Sequence, residues 1–168
     1  MSNLILYAGV AVCVLLLGAV FFGAPYVPTR KKDIKGLFER RVITADDVVT
    51  DLGSGDGVLL VEAGKRGIRS YGVELSPILV LVSWLRLRKY RRLAQVRLGN
   101  YWHTPLPDDT TVVFVFLADK YMQKLRLYLE TESRRLHRPL LLVSYGFELP
   151  GYTPLQTERA MLVYKIKP

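Results

Sequence analysis

The chain has 168 residues, 50% of them apolar, one cysteine and a formal net charge of +9. That length supports one sizeable core, and a lone Cys13 excludes an internal disulfide and a thiolate metal site. The basic excess calls for an anionic partner, either nucleic acid or a lipid surface.

In chain order, the first feature is the run from Leu4 to Phe22, in which every residue is apolar, small or aromatic. About 20 such residues are roughly what a helix needs to cross about 30 Å of hydrocarbon. No basic residue precedes the run, and Pro25 follows the only small-residue ending at Ala24. That pattern argues against a cleaved leader and for a transmembrane anchor over residues 1–24. Arg30, Lys31, Lys32 and Lys35 all follow it. The positive-inside rule then makes this a single-pass membrane protein, its remaining domain on the cytoplasmic side or the mitochondrial equivalent. Behind such an anchor the lipid bilayer explains the basic charge better than nucleic acid, which is not expected as a partner.

Residues 25–32 hold two prolines, Pro25 and Pro28, and read as a connector. Residues 33–168 read as the folded domain. Asp33 is placed to cap a short helix, "IKGLFERRV". Then "DVVTDL" reads as a buried strand, "GVLLVEAGKRG" as a helix and "IRSYGVEL" as a second strand. "SPILVLVSWLRLRKYRRL" has Ser76 at the cap and Pro77 at the first helical position. Its apolar half is expected to be buried and its basic residues solvated, with Trp84 and the arginines available to press on a membrane. "AQVRLGN", the continuous apolar "TTVVFVFL" and "RPLLLVSYGF" read as further strands, with the helix "DKYMQKLRLYLETESRRL" between the last two. The tail "RAMLVYKIK" reads as an edge strand.

This alternation predicts an α/β fold, a mostly parallel sheet with helices on both faces. Ligands of such sheets bind beyond the carboxyl ends of the strands. Asp51 to Gly57, Glu74, Asn100 and Leu117 to Asp119 therefore share one rim.

The rim carries the chemistry. "DLGSGDG" lacks the third glycine of the dinucleotide fingerprint, because position 58 is Val58. An acid followed by G-x-G-x-G instead resembles the first motif of class I S-adenosylmethionine-dependent methyltransferases. Glycine lets backbone approach a ligand closely, Asp51 can receive an ammonium, and Glu74 can accept two ribose hydroxyls. Asn100, in "LGNYW", stands where many such enzymes place an adenine-binding acid. A plain turn asparagine is the alternative.

A narrower resemblance rests on "PYVPT", "DLGSGDG", "GVELSP", "GNYW", "LADKYMQKL" and "VSYGFELPGYTP" together. They look like the membrane-anchored lysine methyltransferases that act on the ATP synthase c-subunit and the adenine nucleotide translocase, and their bacterial relatives. The resemblance implies a Rossmann-like class I methyltransferase sheet preceded by one transmembrane helix, with S-adenosyl-L-methionine as cofactor. It implies that Asp51, Gly53, Ser54, Gly55 and Gly57 hold the methionine part, Glu74 the ribose, and Asn100 with Tyr101 the adenine edge. Tyr26 and Thr29 would fold over the ligand, and Leu117, Ala118 and Asp119 would border the methyl group. The expected acceptor is a lysine of a membrane protein; a lipid or small molecule, or a binding module without catalysis, are the alternatives. Asp119-Lys120-Tyr121 departs from the proline-containing segment common in the family, which leaves the acceptor contacts open.

A lysine must be neutral to accept a methyl group, so an acid or a water path has to take its proton. Asp119, Tyr121 and Tyr145 are the catalytic candidates, with Glu148 beside them. Each has a plainer role open to it: Asp119 as a helix cap, Tyr145 as core, Glu148 as surface charge. His103 reads as a polar loop residue, and no metal is expected.

Overall fold

The computed structural model describes residues 6, 7, 9, 10 and 29–168. The anchor expected over Leu4–Phe22 therefore lies almost wholly outside the described residues, as does Tyr26. Among the described residues no helix is long and apolar enough to cross a membrane. The longest helix among them spans 14 residues and is rich in charge, well short of the about 20 apolar residues a crossing needs.

The strands are β1 (Val48–Leu52), β2 (Arg69–Glu74), β3 (Ala94–Leu98), β4 (Val112–Val115), β5 (Leu140–Tyr145), β6 (Gln156–Glu158) and β7 (Met161–Ile166). They form one seven-stranded sheet in the order β3-β2-β1-β4-β5-β7-β6. The first five are mutually parallel, while β7 runs antiparallel to β5 and to β6. Every residue of β1 and of β4 is buried, which is why these central strands are apolar almost without interruption. Parallel pairing brings Leu52, Glu74, Leu98, Val115 and Tyr145 to the same end of the sheet, and that end is the rim.

The helices are α1 (Lys31–Glu39), α2 (Val58–Lys65), α3 (Pro77–Leu87) and α4 (Met122–Arg135). Ile34, Leu37 and Phe38 of α1 pack with Leu59 and Ala63 of α2 on one face of the sheet, against Val49, Phe114 and Val143. Met122, Leu125 and Leu129 of α4 fill the other face with Val113, Val115 and Tyr164. A smaller cluster of Leu60, Leu87 and Ala94 fixes α3 to α2 and β3.

Four expectations need correction. Helix α1 begins at Lys31, inside the stretch read as a connector, and Arg30 is its cap residue. Asp33 lies in its first turn, with its carboxylate turned to Tyr145 and Arg159 rather than to the helix end. The tail strand β7 is internal: the three-residue β6 covers its outer edge after a turn in which Arg159 adopts a left-handed φ of 55°. Such a short, polar strand carries no periodicity by which to find it.

Helix α3 departs most. It starts as expected, Ser76 Oγ accepting from Leu79 N at 3.4 Å with Pro77 next. It ends at Leu87, and of its residues only Ser83 and Leu87 are buried. Of the large apolar side chains expected inside, Ile78, Leu81, Val82 and Leu85 are exposed, as is Trp84.

Candidate active site

Three left-handed glycines shape the loop after β1: Gly53 (φ 83°), Gly55 (φ 54°) and Gly57 (φ 75°). Their backbone N–H groups are used within the protein. Gly53 N and Ser54 N donate to Val73 O at 2.8 and 3.2 Å, and Gly57 N donates to Ser54 O at 2.9 Å. Gly55 N donates to Glu74 Oε2 at 2.9 Å. A phosphate-binding loop aims such groups at its ligand; these four are committed within the protein instead.

Asp51 is 4% exposed and makes no side-chain hydrogen bond among the described residues. Burial pushes its carboxyl up to about 8, with the charges of Glu74 and Asp56 adding to the effect. Glu74, also buried, accepts from Gly55 N and, through Oε1, from Ser76 N at 2.8 Å. Each carboxylate oxygen has a second acceptor site left. The loop is braced from outside by Arg86, whose guanidinium pairs with the Asp56 carboxylate and donates to Asp56 O at 2.8 Å.

The remaining loop residues divide by role. A side chain at Gly57 would collide with Ser83 Oγ of α3, so that glycine serves helix packing as well as its φ. Ser54 is buried, and its Oγ lies where a Cβ on Gly72 would sit, so it faces β2. Over Gly53 the space is open as far as the Tyr101 ring, 4.0 Å from an added Cβ. A cationic ligand with hydroxyls fits this cradle. Asp51 could meet the cation and Glu74 the hydroxyls, with the Tyr101 ring facing Gly53 across the loop.

Asn100 does what turn asparagines do: Oδ1 accepts from Trp102 N at 3.1 Å and caps the short turn Tyr101–His103. Tyr101 is half-buried, its phenol pushed up to about 12 by burial, then by Tyr121 and Glu74. Its ring centroid lies 4.7 Å from that of Trp102, which is 6.5 Å from Tyr121 and 6.3 Å from Tyr128. Trp102 thus joins Tyr101 and Tyr121 in one aromatic group, although the sequence pointed only to its neighbours. Tyr128 Oη holds this loop by donating to Thr104 O at 2.8 Å.

The β4–β5 side of the rim is more open. Asp119 and Tyr121 lie exposed on the short turn Asp119–Tyr121, and Asp119 caps nothing. Ala118 is exposed and Leu117 buried. Tyr145 ends β5 edge-on to Phe116, centroids 4.8 Å apart, and donates to Asp33 Oδ2 at 2.9 Å. Burial, then the Asp33 bond, raises its phenol. The Tyr145 hydroxyl is thus committed to Asp33, with its ring against Phe116. Thr29 is half-buried beside α1, while Glu148 and His103 are exposed. No cluster able to hold a metal occurs among the described residues.

Known proteins are similar to this chain in sequence and fold. Residues 51–156 match the family described as the ANTKMT methyltransferase domain. A protein-lysine N-methyltransferase of Saccharolobus islandicus is 31% identical over 134 residues, covering 77% of this chain and 81% of its own. The human lysine N-methyltransferase of the ATP synthase c-subunit is 30% identical over 77% of this chain, which spans 54% of that protein's length. Among solved structures, an RNA methyltransferase of Salinibacter ruber in complex with S-adenosyl-L-homocysteine superposes with a TM-score of 0.71 at 28% identity. That likeness covers 84% of this chain and 94% of the other.

These findings also correct the expected single-pass membrane localisation. The Saccharolobus relative is named for lysine methylation alone, and no described helix has the length and apolarity of a span. The chain belongs to the ANTKMT methyltransferase family and is an S-adenosylmethionine-dependent methyltransferase.

Proposed function

We propose that the acceptor is a lysine side chain of a protein. The observation that carries this reading is the aromatic wall next to the cofactor slot. Lys124 Nζ stands 4.4 Å over the Trp102 ring, and Lys120 Nζ 4.9 Å over the Tyr121 ring. Ring faces that attract the chain's own ammonium groups attract those of an acceptor too. The relatives named for a protein lysine support the same reading, the human and Xenopus laevis ones for the c-subunit of ATP synthase.

When bound, S-adenosylmethionine supplies an electrophilic methyl group. Asp51 would bind its ammonium, Glu74 its ribose hydroxyls, and Tyr101 its adenine edge. Trp102 and Tyr121 steer the acceptor amine to the rim, and Asp119 takes its proton into solvent. Tyr145, fixed by Asp33, and Phe116 exclude water from the other side. Holding the acceptor in line can itself lower the barrier by roughly 7 to 11 kcal/mol.

The test is to incubate the purified chain with methyl-labelled cofactor and a membrane-containing cell extract, then separate protein from lipid. Label recovered as methyllysine after protein hydrolysis is expected. Label confined to the lipid fraction would move the acceptor to a headgroup and overturn the reading.

A further inference from the structure

Helix α3 is turned inside out for a surface helix. A helix lying on a sheet normally buries its apolar stripe and shows polar residues to solvent. Here the buried residues are Ser83 and Leu87, while Trp84 is 65% exposed, Leu81 56% and Leu85 53%. Leu75, Ile78 and Val82 are exposed beside them. A contiguous patch of this kind on a folded protein marks an interaction site.

The charge around the patch says what covers it. From Leu75 to Asn100 the chain has no Asp or Glu. Arg88, Lys89, Arg91 and Arg92, directly after α3, are exposed and make no ion pair among the described residues. The same helical layer carries a groove of about 420 Å³ lined by Lys31, Lys32 and Lys35 of α1, together with Lys65, which pairs with Glu62 in the same groove, and Arg86, which pairs with Asp56. A second copy of the chain would bring like charges together across such a face. An apolar centre flanked by unpaired cations instead complements a surface with an apolar interior and an anionic skin.

We propose that the outer face of α3, with the basic turn that follows it, is a peripheral docking surface for an anionic lipid bilayer. Trp84, Leu81 and Leu85 enter the boundary between headgroups and acyl chains, and Arg88 to Arg92 contact the phosphates. The contact is that of a folded face laid on the membrane. Because α3 starts next to Glu74, the end of the patch at Leu75 and Ile78 borders the cofactor rim.

Trp84 reports the contact directly. The chain has two tryptophans, so Trp102→Phe in the full-length protein leaves Trp84 as the only one. Its emission is read with vesicles of phosphatidylcholine alone and of phosphatidylcholine with phosphatidylglycerol, each with and without bromine on the acyl chains. On anionic vesicles a shift to shorter wavelength and quenching by bromine are expected. Changing Arg88, Lys89, Arg91 and Arg92 together to Gln should lower partitioning roughly 100-fold or more, from about a tenfold loss for every one to two charges. The proposal is overturned if the protein sediments with the vesicles while Trp84 stays unquenched, or if the four-Gln variant binds as the parent does. It is equally overturned if Trp84 emission is already short-wavelength without lipid, whether in a dimer seen by sedimentation or in a monomer that covers the face itself.

Discussion

At the β1–β2 end of the rim, Asp51 and Glu74 are buried, and Glu74 holds two backbone N–H groups of the surrounding turns. At the β4–β5 end, Asp119, Tyr121 and Glu148 are exposed, and no side-chain bond among the described residues fixes them. The first end, braced by these bonds, is the one proposed to hold the cofactor. The second is open and offers aromatic faces in place of buried charge, which suits the proposed protein acceptor. The difference makes binding of the cofactor and acceptance of the methyl group separable by mutation.

The largest effect is expected at Glu74. Glu74→Ala removes the ribose partner and strands Gly55 N and Ser76 N, each charge-assisted bond contributing about 1.5–3 kcal/mol. Calorimetric titration with S-adenosylmethionine should show affinity reduced roughly 100-fold or more. Retained affinity would mean that the cofactor sits elsewhere.

Asp51 gives the pH dependence. Its carboxyl, raised to about 8, holds a proton at neutral pH and must lose it to meet a cation. Cofactor affinity should therefore rise with pH, by up to about tenfold per unit, until about pH 8. Asp51→Asn should bind weakly with this slope removed. The same shift acts on stability with a definite sign. The folded protein binds this proton more tightly than the unfolded chain, so stability falls as pH rises from about 4 to about 8 and is level above. Thermal denaturation of Asp51→Asn without ligand should show a smaller fall over that window.

Two glycines with the same φ of 75° sharpen the point that the loop is structural as well as receptive. Gly57→Ala adds a clash with Ser83 to the backbone strain and should destabilise by about 2–4 kcal/mol. Gly67→Ala meets nothing within 4 Å and should cost about 1–2 kcal/mol. Equal losses in urea denaturation would remove the packing role of Gly57. The smallest effect is expected for Tyr145→Phe, which loses one hydrogen bond to Asp33 and about 1 kcal/mol.

That Asp51, the glycine turn and Glu74 share one end of the sheet was readable from sequence because the pattern is local. A strand, its glycine turn and the acid ending the next strand are all marked by residue type, and parallel pairing brings them together. Asp33 and Tyr145 lie 112 residues apart, so no local pattern could pair them. Nor does local pattern say which side of α3 faces water. Apolar residues occur all round that helix, and the contacts of Ser83 with Gly57 and of Leu87 with Leu60 and Ala94 show which side meets the fold. Asn100 shows the limit at single residues: a turn cap and an adenine contact ask for the same side-chain oxygen.

Tyr121→Ala tests the division of the rim most directly, because Tyr121 is exposed and its loss leaves the core intact. Cofactor affinity by calorimetry and the single-turnover rate of lysine methylation are to be measured on the same preparation. Affinity should stay within about twofold of the parent while transfer falls roughly tenfold, the scale of one cation–π contact. A parallel loss of both, or unchanged transfer, would contradict a receptor end and an acceptor end that work separately.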